Sequence, residues 1–484
     1  MKKIFLIIII AVTGFASCKK GFLDVNKTPN NPLVVPPSVI LPNITIATAF
    51  ANSNDLNRAA SVLIQHTAGV ANQVQGYDVF LLDGNFDNQW NFEIYNGALN
   101  NMQILIDQYS GTSPAYSGIA KLQMAYVFSM TTDLWGDVPY SQGGKGLLFE
   151  NPRFDKQEDI YQGNAALNIT SLFSLVNDGL NDLSKASILT PNATADIVYK
   201  GDLTKWKRMG NSLLLKLAIQ ISNRNPVLAK STIDAVITGN NFINSNALDY
   251  EVPFGSNVGN RNPIFDFNNN LRTGDMMLSS RLLALSRSLN DTVRLSKFFT
   301  TPTGTFVAFN NGSTAAAPSV ATRSKYNTYL TGTVGGEAPI RLITFSQINF
   351  ILAESALVLG TAGSANTYYQ AGITASMQKV GMTATEITNY FTTNPNVVTL
   401  SGTPEQMRQQ IITQKYISLI GNGIEAYNDY RRTGYPILIL PLNASGDNPN
   451  VIPTRLPYTP NELSRNPNAP NPRPKTDVKV WWAL

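Results

Sequence analysis

A mostly α-helical protein, one large domain of paired helices with few short strands and long irregular loops, is what this sequence predicts. Three observations carry that expectation. Apolar residues recur at helical spacing over 53–75, 87–109, 114–134, 157–184, 204–223, 226–238, 344–359, 365–380, 404–420 and 425–432. Several of these stretches follow one another across short connections, which favours antiparallel neighbours. Between them, 242–335 is rich in Asn, Gly, Pro and Thr, with Asn268-Asn269-Asn270 and Asn310-Asn311-Gly312 interrupting short helical or strand pieces. Loops of that length are usually functional or disordered.

In chain order, residues 1–17 read as a secretory signal: Lys2 and Lys3, an apolar run from Ile4 to Val12, then small Ala16 and Ser17 before Cys18. The run is too short for the roughly 20 residues that cross a bilayer. Cys18 is the only cysteine in the chain and stands where cleavage is expected. The segment resembles a bacterial lipobox, with Phe15 where that pattern usually has Leu. A lipid-bearing Cys18 would tether the chain to a membrane surface; a plain secreted chain is the alternative. With no second cysteine there is no intramolecular disulfide, so stability rests on packing. The Pro- and Asn-rich 18–42 reads as an extended arm. The helical body occupies 43–484, with the loop-rich insert at 242–335 and an irregular Pro- and Asn-rich tail at 436–484.

Composition narrows the chemistry. Charged residues are 14% of the chain, against about 25% in average domains. Asn, Thr, Ser and Gln fill that place, which suits neutral polar ligands. The formal net charge is +5 with no long basic run, so nucleic acid is not an expected partner. His66 is the only histidine, which excludes multi-histidine zinc sites and leaves one residue for any Ser-His-Asp triad. Its apolar helical surroundings favour a structural role. No metal site and no cofactor are expected.

Three stretches carry candidate chemistry. Asp133 and Asp137 flank Trp135 and Gly136, with Pro139 just beyond. The spacing fits either a glycosidase-type carboxylate pair or a helix stop whose acids bond nearby amides, the commoner use. Asp83-Gly84-Asn85-Phe86-Asp87 imitates the start of a calcium loop, but Asn88 replaces its glycine and Glu93 falls one place early. A turn with Asp87 capping the next helix is the simpler expectation. The third is the dense cluster Glu425, Asp429, Arg431, Arg432 and Gly434 among three tyrosines, suited to an anionic ligand or, more often, to an internal network pinning the tail.

Aromatic residues near loops, Tyr77, Phe80 and Trp90 early and Phe265, Tyr326 and Tyr329 in the insert, are the candidate ligand-binding residues. Rings can pack on sugar faces while amides satisfy hydroxyls, although any single aromatic is more often core.

Taken together, several motifs resemble the SusD/RagB family of Bacteroidetes outer-membrane lipoproteins, nearest the SusD-like group 2 branch. They are the lipobox followed by Gly21-Phe22-Leu23-Asp24, the run Leu134 to Tyr140, Trp206 with Asn211-Ser212-Leu213-Leu214-Leu215, the run Ala426 to Gly434, Ile452-Pro453-Thr454-Arg455 and Trp481-Trp482. The resemblance covers the whole chain. It implies a mostly α fold on tetratricopeptide-like helix pairs, and a non-enzymatic surface lipoprotein that captures a glycan, or a peptide, as the lid of a SusC-like TonB-dependent transporter. It carries over no catalytic residue. A surface glycoside hydrolase using a carboxylate pair is the competing expectation.

Overall fold

The computed structural model describes residues 35–484; the signal segment, Cys18 and most of the expected arm lie outside the described residues. The first half is helical: α1 (Pro37–Ser53), α2 (Asp55–Leu63), α3 (Asn72–Asp78), a π-helix Gln89–Leu99 running into α4 (Asn100–Tyr109), α5 (Pro114–Trp135), α6 (Gln157–Gln162), α7 (Leu172–Asp182), α8 (Leu203–Gln220) and α9 (Pro226–Gly239). Three expectations are corrected there. The arm expected to run to residue 42 gives way to α1 at Pro37, because proline is preorganised for a first helical turn and Ile40, Leu41 and Ile44 bury against the core. The stretch 53–75 is not one helix: α2 ends at Leu63, Gln65 takes a positive φ, and the chain turns into strand β1 (Thr67–Gly69). The stretch 157–184 divides where Gly163 and Asn168 take positive φ.

Helix α5 is the axis of this half. Every one of its residues except Lys121 is buried. It crosses α7 so closely that a Cβ on Gly118 would lie 2.8 Å from the Gly179 carbonyl oxygen, so the two backbones meet directly.

The insert holds strands β2 (Tyr250–Val252) and β3 (Met276–Leu278) with helices α10 (Ser280–Ser288) and α11 (Thr292–Phe298), none longer than nine residues. Strand β3 pairs antiparallel with β1, and β2 with β4 (Ile340–Ile343). Each two-stranded sheet joins the insert to the body. The second half resumes helix pairing with α12 (Phe345–Val358), α13 (Ala365–Lys379), α14 (Ala384–Thr393), α15 (Pro404–Ser418) and α16 (Gly423–Thr433). Small residues again set the approach: a Cβ on Gly372 of α13 would meet the Phe350 ring of α12 at 2.9 Å. One continuous apolar core runs from Ile40 to Ala483, so the irregular tail is packed into the same body as the helices.

Candidate functional site

The segments 65–86, 275–281, 309–312 and 437–447 converge at one loop-rich end, and a buried carboxylate ties them together. Asp78, the last residue of α3, accepts hydrogen bonds from Gly69 N at 3.1 Å, Gly312 N at 2.8 Å and Asn311 Nδ2 at 2.6 Å. Asn311 extends the clamp: its Nδ2 also donates to Thr67 O at 3.0 Å, and its Oδ1 accepts from Ser279 Oγ at 2.6 Å. The tail closes over it through Leu442 N to Asn311 O at 2.9 Å and Asn443 Nδ2 to Gly312 O at 2.9 Å. Gly312 has φ +70°, and any Cβ there would collide with the Leu442 carbonyl. All of Asp78's partners are neutral. Burial therefore outweighs three hydrogen bonds and lifts its carboxyl from 3.8 to about 7.

Outside this clamp the tail exposes an aliphatic ribbon, Ile437, Ile439, Leu440 and Leu442, whose backbone is fixed by Gln65 Nε2 donating to Ile439 O. Ser445 N donates to Val79 O at 2.8 Å. Exposed Leu81 borders a cavity of about 100 Å³ shared with Gly446 and Asp447. Phe80 and Phe86 hold φ near +70°, a region bulky residues rarely adopt, and burial of both rings keeps them there. The surface this builds is apolar along the ribbon, and the two acids at the cavity, Asp83 and Asp447, are both paired with Arg473.

The sequence candidates are placed otherwise than as ring faces open to a ligand. Tyr77 is fully buried, donates to Asp55 Oδ2 at 2.8 Å and stacks on Phe86; Phe80 is enclosed beneath Gly446. Trp90 is buried against Trp135 and Phe154 and donates to Glu462 Oε2 at 3.2 Å. Tyr326 is buried against Phe299. Phe265 and Tyr329 are half-buried beneath arginines, Arg261 5.5 Å from the first ring and Arg341 3.7 Å from the second. Large aromatic area went into fixing the loops. Sequence reading missed Asp78 and took Asn311 and Gly312 only as an interruption, because the partners lie more than 230 residues apart and no local pattern links them.

The acids around Trp135 lie in a second network, at the C-terminal end of α5. Asp133 is fully buried, accepting from Tyr161 OH at 2.8 Å, Trp482 Nε1 at 2.7 Å and Asn428 Nδ2 at 3.2 Å; burial raises it to about 6. Asp137 accepts from Gln157 N at 2.8 Å, and Gly136, with φ +84°, ends α5. The Pro139 carbonyl accepts from Tyr95 OH. Trp135 Nε1 donates to Pro457 O at 2.9 Å, and Arg455 donates to Trp135 O. Arg431 lies between the Tyr427 and Trp482 rings and donates to Asp133 O. Arg432 grips Glu354 with both nitrogens, at 2.6 and 2.7 Å, and also reaches Asp429 at 2.9 Å. Glu425 pairs with Lys216 at 3.1 Å, and Gly434 closes α16 in the left-handed conformation. The Asp133, Trp135 and Arg431 bonds pin the tail to α5 and α16, while Arg432–Glu354 and Glu425–Lys216 join α16 to α12 and α8. The guanidiniums of Arg432 and Arg408 hold Glu354 down at about 2 despite full burial.

Two further expectations are corrected. Asp87 caps no helix but accepts from Asn461 N at 3.2 Å, and Asp83 pairs with Arg473. His66 sits in a turn rather than a helix. It is fully buried against Tyr416, and desolvation lowers it to about 3, so it stays neutral. Among the described residues no group of three His, Cys, Asp or Glu could hold a metal ion, and no helix is long and apolar enough to cross a membrane.

Helix pairs packed into one core, a polar clamp among the loops and a tail pinned to the helices define a helical scaffold protein with its surface chemistry in loops. The family model described as "Starch-binding associating with outer membrane", SusD-like, matches residues 29–459, and the chain belongs to the SusD/RagB family. A solved chitin-binding protein is 25% identical with TM-score 0.77, over 93% of this chain and 100% of that one. A SusD homolog from Bacteroides uniformis is 23% identical, TM-score 0.75, over 93% and 99%. A chitin-binding SusD homolog from Flavobacterium johnsoniae is 21% identical, TM-score 0.74, over 92% and 97%. No curated protein matches the chain.

Proposed function

We propose that this chain is a non-catalytic, lipid-anchored outer-membrane protein that captures a neutral extracellular glycan and delivers it to a SusC-like TonB-dependent transporter as its lid. The observation that carries the reading is the family match over 29–459, together with full-length likeness to a chitin-binding protein. Chitin and starch oligosaccharides are therefore the first ligands to test. Several features support the assignment. The chain is poor in charge, the loop-rich end exposes an aliphatic ribbon suited to docking on another protein, and the acid expected to lead a carboxylate pair, Asp133, is fully buried and bonded on both oxygens. Cys18, the proposed lipid site, would hold the chain at the membrane while the body stays in water.

The test is to tag the chain near its C-terminus, solubilise the outer membrane gently and identify what co-purifies. A stoichiometric TonB-dependent barrel is expected. The chain recovered alone, together with glycan hydrolysis lost in Asp137→Asn, would replace the lid reading with a hydrolase.

A further inference from the structure

A groove remote from the clamp has a chemistry of its own. It lies between α10, the single turn Pro395–Val398, the loop 399–403 and α15, and encloses about 480 Å³, within the usual range of ligand sites. Its floor is apolar: Leu285, Leu289, Val397 and the ring of Tyr369, whose hydroxyl is taken up by Val397 O at 2.7 Å. Its wall is one face of α15, where Gln406, Gln410 and Gln414 stand about 6 Å apart along the axis, with Gln409 and Thr413 between them. No charged side chain lines it.

The orientation of these amides is set by the protein. Gln406 Oε1 accepts from Thr403 N at 2.8 Å, closing the capping box of α15. Gln410 Oε1 accepts from Ser401 N at 3.1 Å, and Gln414 Oε1 from an Arg294 guanidinium nitrogen at 2.6 Å. Each oxygen therefore faces a fixed donor, and each NH2 group is left over. Gln414 is 1% exposed, and its Nε2 lies toward the Tyr390 hydroxyl without reaching hydrogen-bond geometry with any described residue. An unpaired buried donor is costly unless something accepts from it. Gln414 is the buried member of the row, while Gln406 and Gln410 present their NH2 groups at the open side of the groove. Amide donors in a row beside an apolar floor ask for a neutral ligand with many acceptor oxygens. A sugar chain meets that description, with ring, glycosidic and hydroxyl oxygens over an apolar ring face. A peptide fits less well, because its N–H groups need acceptors and the amide oxygens here are already engaged.

We infer that the groove between α10 and α15 is a binding subsite for a neutral oligosaccharide, read by the row of amide donors Gln406, Gln410 and Gln414. The inference rests on the glycan reading of the function and adds to it a place on the helical scaffold, away from the loop-rich end.

Glutamate at 406 and 410 keeps the oxygen that each backbone N–H needs, and glutamate is itself a capping-box residue, so Gln406→Glu with Gln410→Glu reverses donor to acceptor without removing structure. Gln409→Trp fills the groove from a half-buried position. The full chain in detergent would be titrated calorimetrically with N-acetylchitohexaose and maltoheptaose, with melting followed in parallel. At unchanged melting temperature, both variants are expected to weaken binding of the preferred sugar about tenfold or more. Wild-type binding that both variants retain would overturn the groove while leaving the glycan function standing. A wild-type chain that co-purifies with the barrel yet binds neither these sugars nor any other neutral glycan in an array would overturn the glycan reading and the groove together.

Discussion

Asp78 and Glu354 are both buried carboxylates that tie distant segments together, yet they sit on opposite sides of the ordinary range, at about 7 and about 2. The difference lies in their partners. Glu354 is held by the guanidiniums of Arg432 and Arg408 between helices of the scaffold. Asp78 is held only by two backbone N–H groups and an Asn amide, one from the end of the three-residue strand β1 and two from the 309–312 loop. Full charges between rigid helices make a connection that persists at any physiological pH. Neutral donors from loops make one close to its titration point. The scaffold is thus built for persistence, and the loop-rich end for adjustment.

Breaking the scaffold pair should have the largest effect. Arg432→Leu leaves Glu354 and Asp429 buried without their shared partner, and urea unfolding should show a loss of about 3–5 kcal/mol. A loss below about 1 kcal/mol would mean that Arg408 and Lys415 suffice, and that the two regions differ less than their partners suggest.

Next comes the clamp. Asp78→Ala strands the N–H groups of Gly69 and Gly312, and should cost about 1–3 kcal/mol. The damage should be local. Limited proteolysis is expected to cut within 437–447 well before the helices open, because Leu442 and Asn443 are anchored through the same loop. Cleavage rates equal to wild type would show that the tail is held by its own packing.

The scaffold and the clamp were also unequally legible in the sequence. In the second half, 344–359, 365–380 and 404–420 fall within two residues of α12, α13 and α15, because apolar helical runs, caps such as Thr344 and Thr403, and following glycines all agree there. The tail network was read from its residue types, since arginines and tyrosines in a charge-poor chain have few other uses. The clamp was not legible. Its members are some 230 residues apart, and nothing local distinguishes Asp78 from any polar residue at a helix end. The aromatic candidates were chosen for nearness to loops, whereas burial of ring area decided where they went. Helix α1 was hidden by Pro37 and Pro42, which read as an arm until the buried face of Ile40, Leu41 and Ile44 is seen.

Titration sharpens the comparison with a smaller signal. Asp78 is raised, so its contribution to stability is complete below its ordinary 3.8 and is lost as pH rises toward about 7. Glu354 is lowered, so its contribution is present above 4.5 and is lost as pH falls toward about 2. Between pH 7.5 and 5 the scaffold pair should not change while the clamp tightens, by at most about 1.4 kcal/mol per pH unit. Asp133 and Asp249 are raised to about 6 and add to the same slope, so the informative quantity is the difference between wild type and Asp78→Asn. The variant should show the shallower dependence. Equal slopes would remove Asp78 from the titration and leave the clamp as a fixed device.

The smallest effect on stability should come from the exposed ribbon, and there the smallness is informative. Ile439 and Leu440 are 50% and 39% exposed, so Ile439→Asn with Leu440→Asn removes little apolar burial and should leave unfolding within about 0.5 kcal/mol of wild type. If this end is the docking surface for a transporter barrel, the same pair should sharply reduce the barrel recovered from gently solubilised membranes, because two polar amides would be driven into an apolar contact. Arg432→Leu would show the reverse pattern in protein that remains folded, with large instability and an unaltered contact surface. Barrel recovery unaffected by the asparagines would place the docking surface elsewhere, and the ribbon would then be only the outer cover of the clamp.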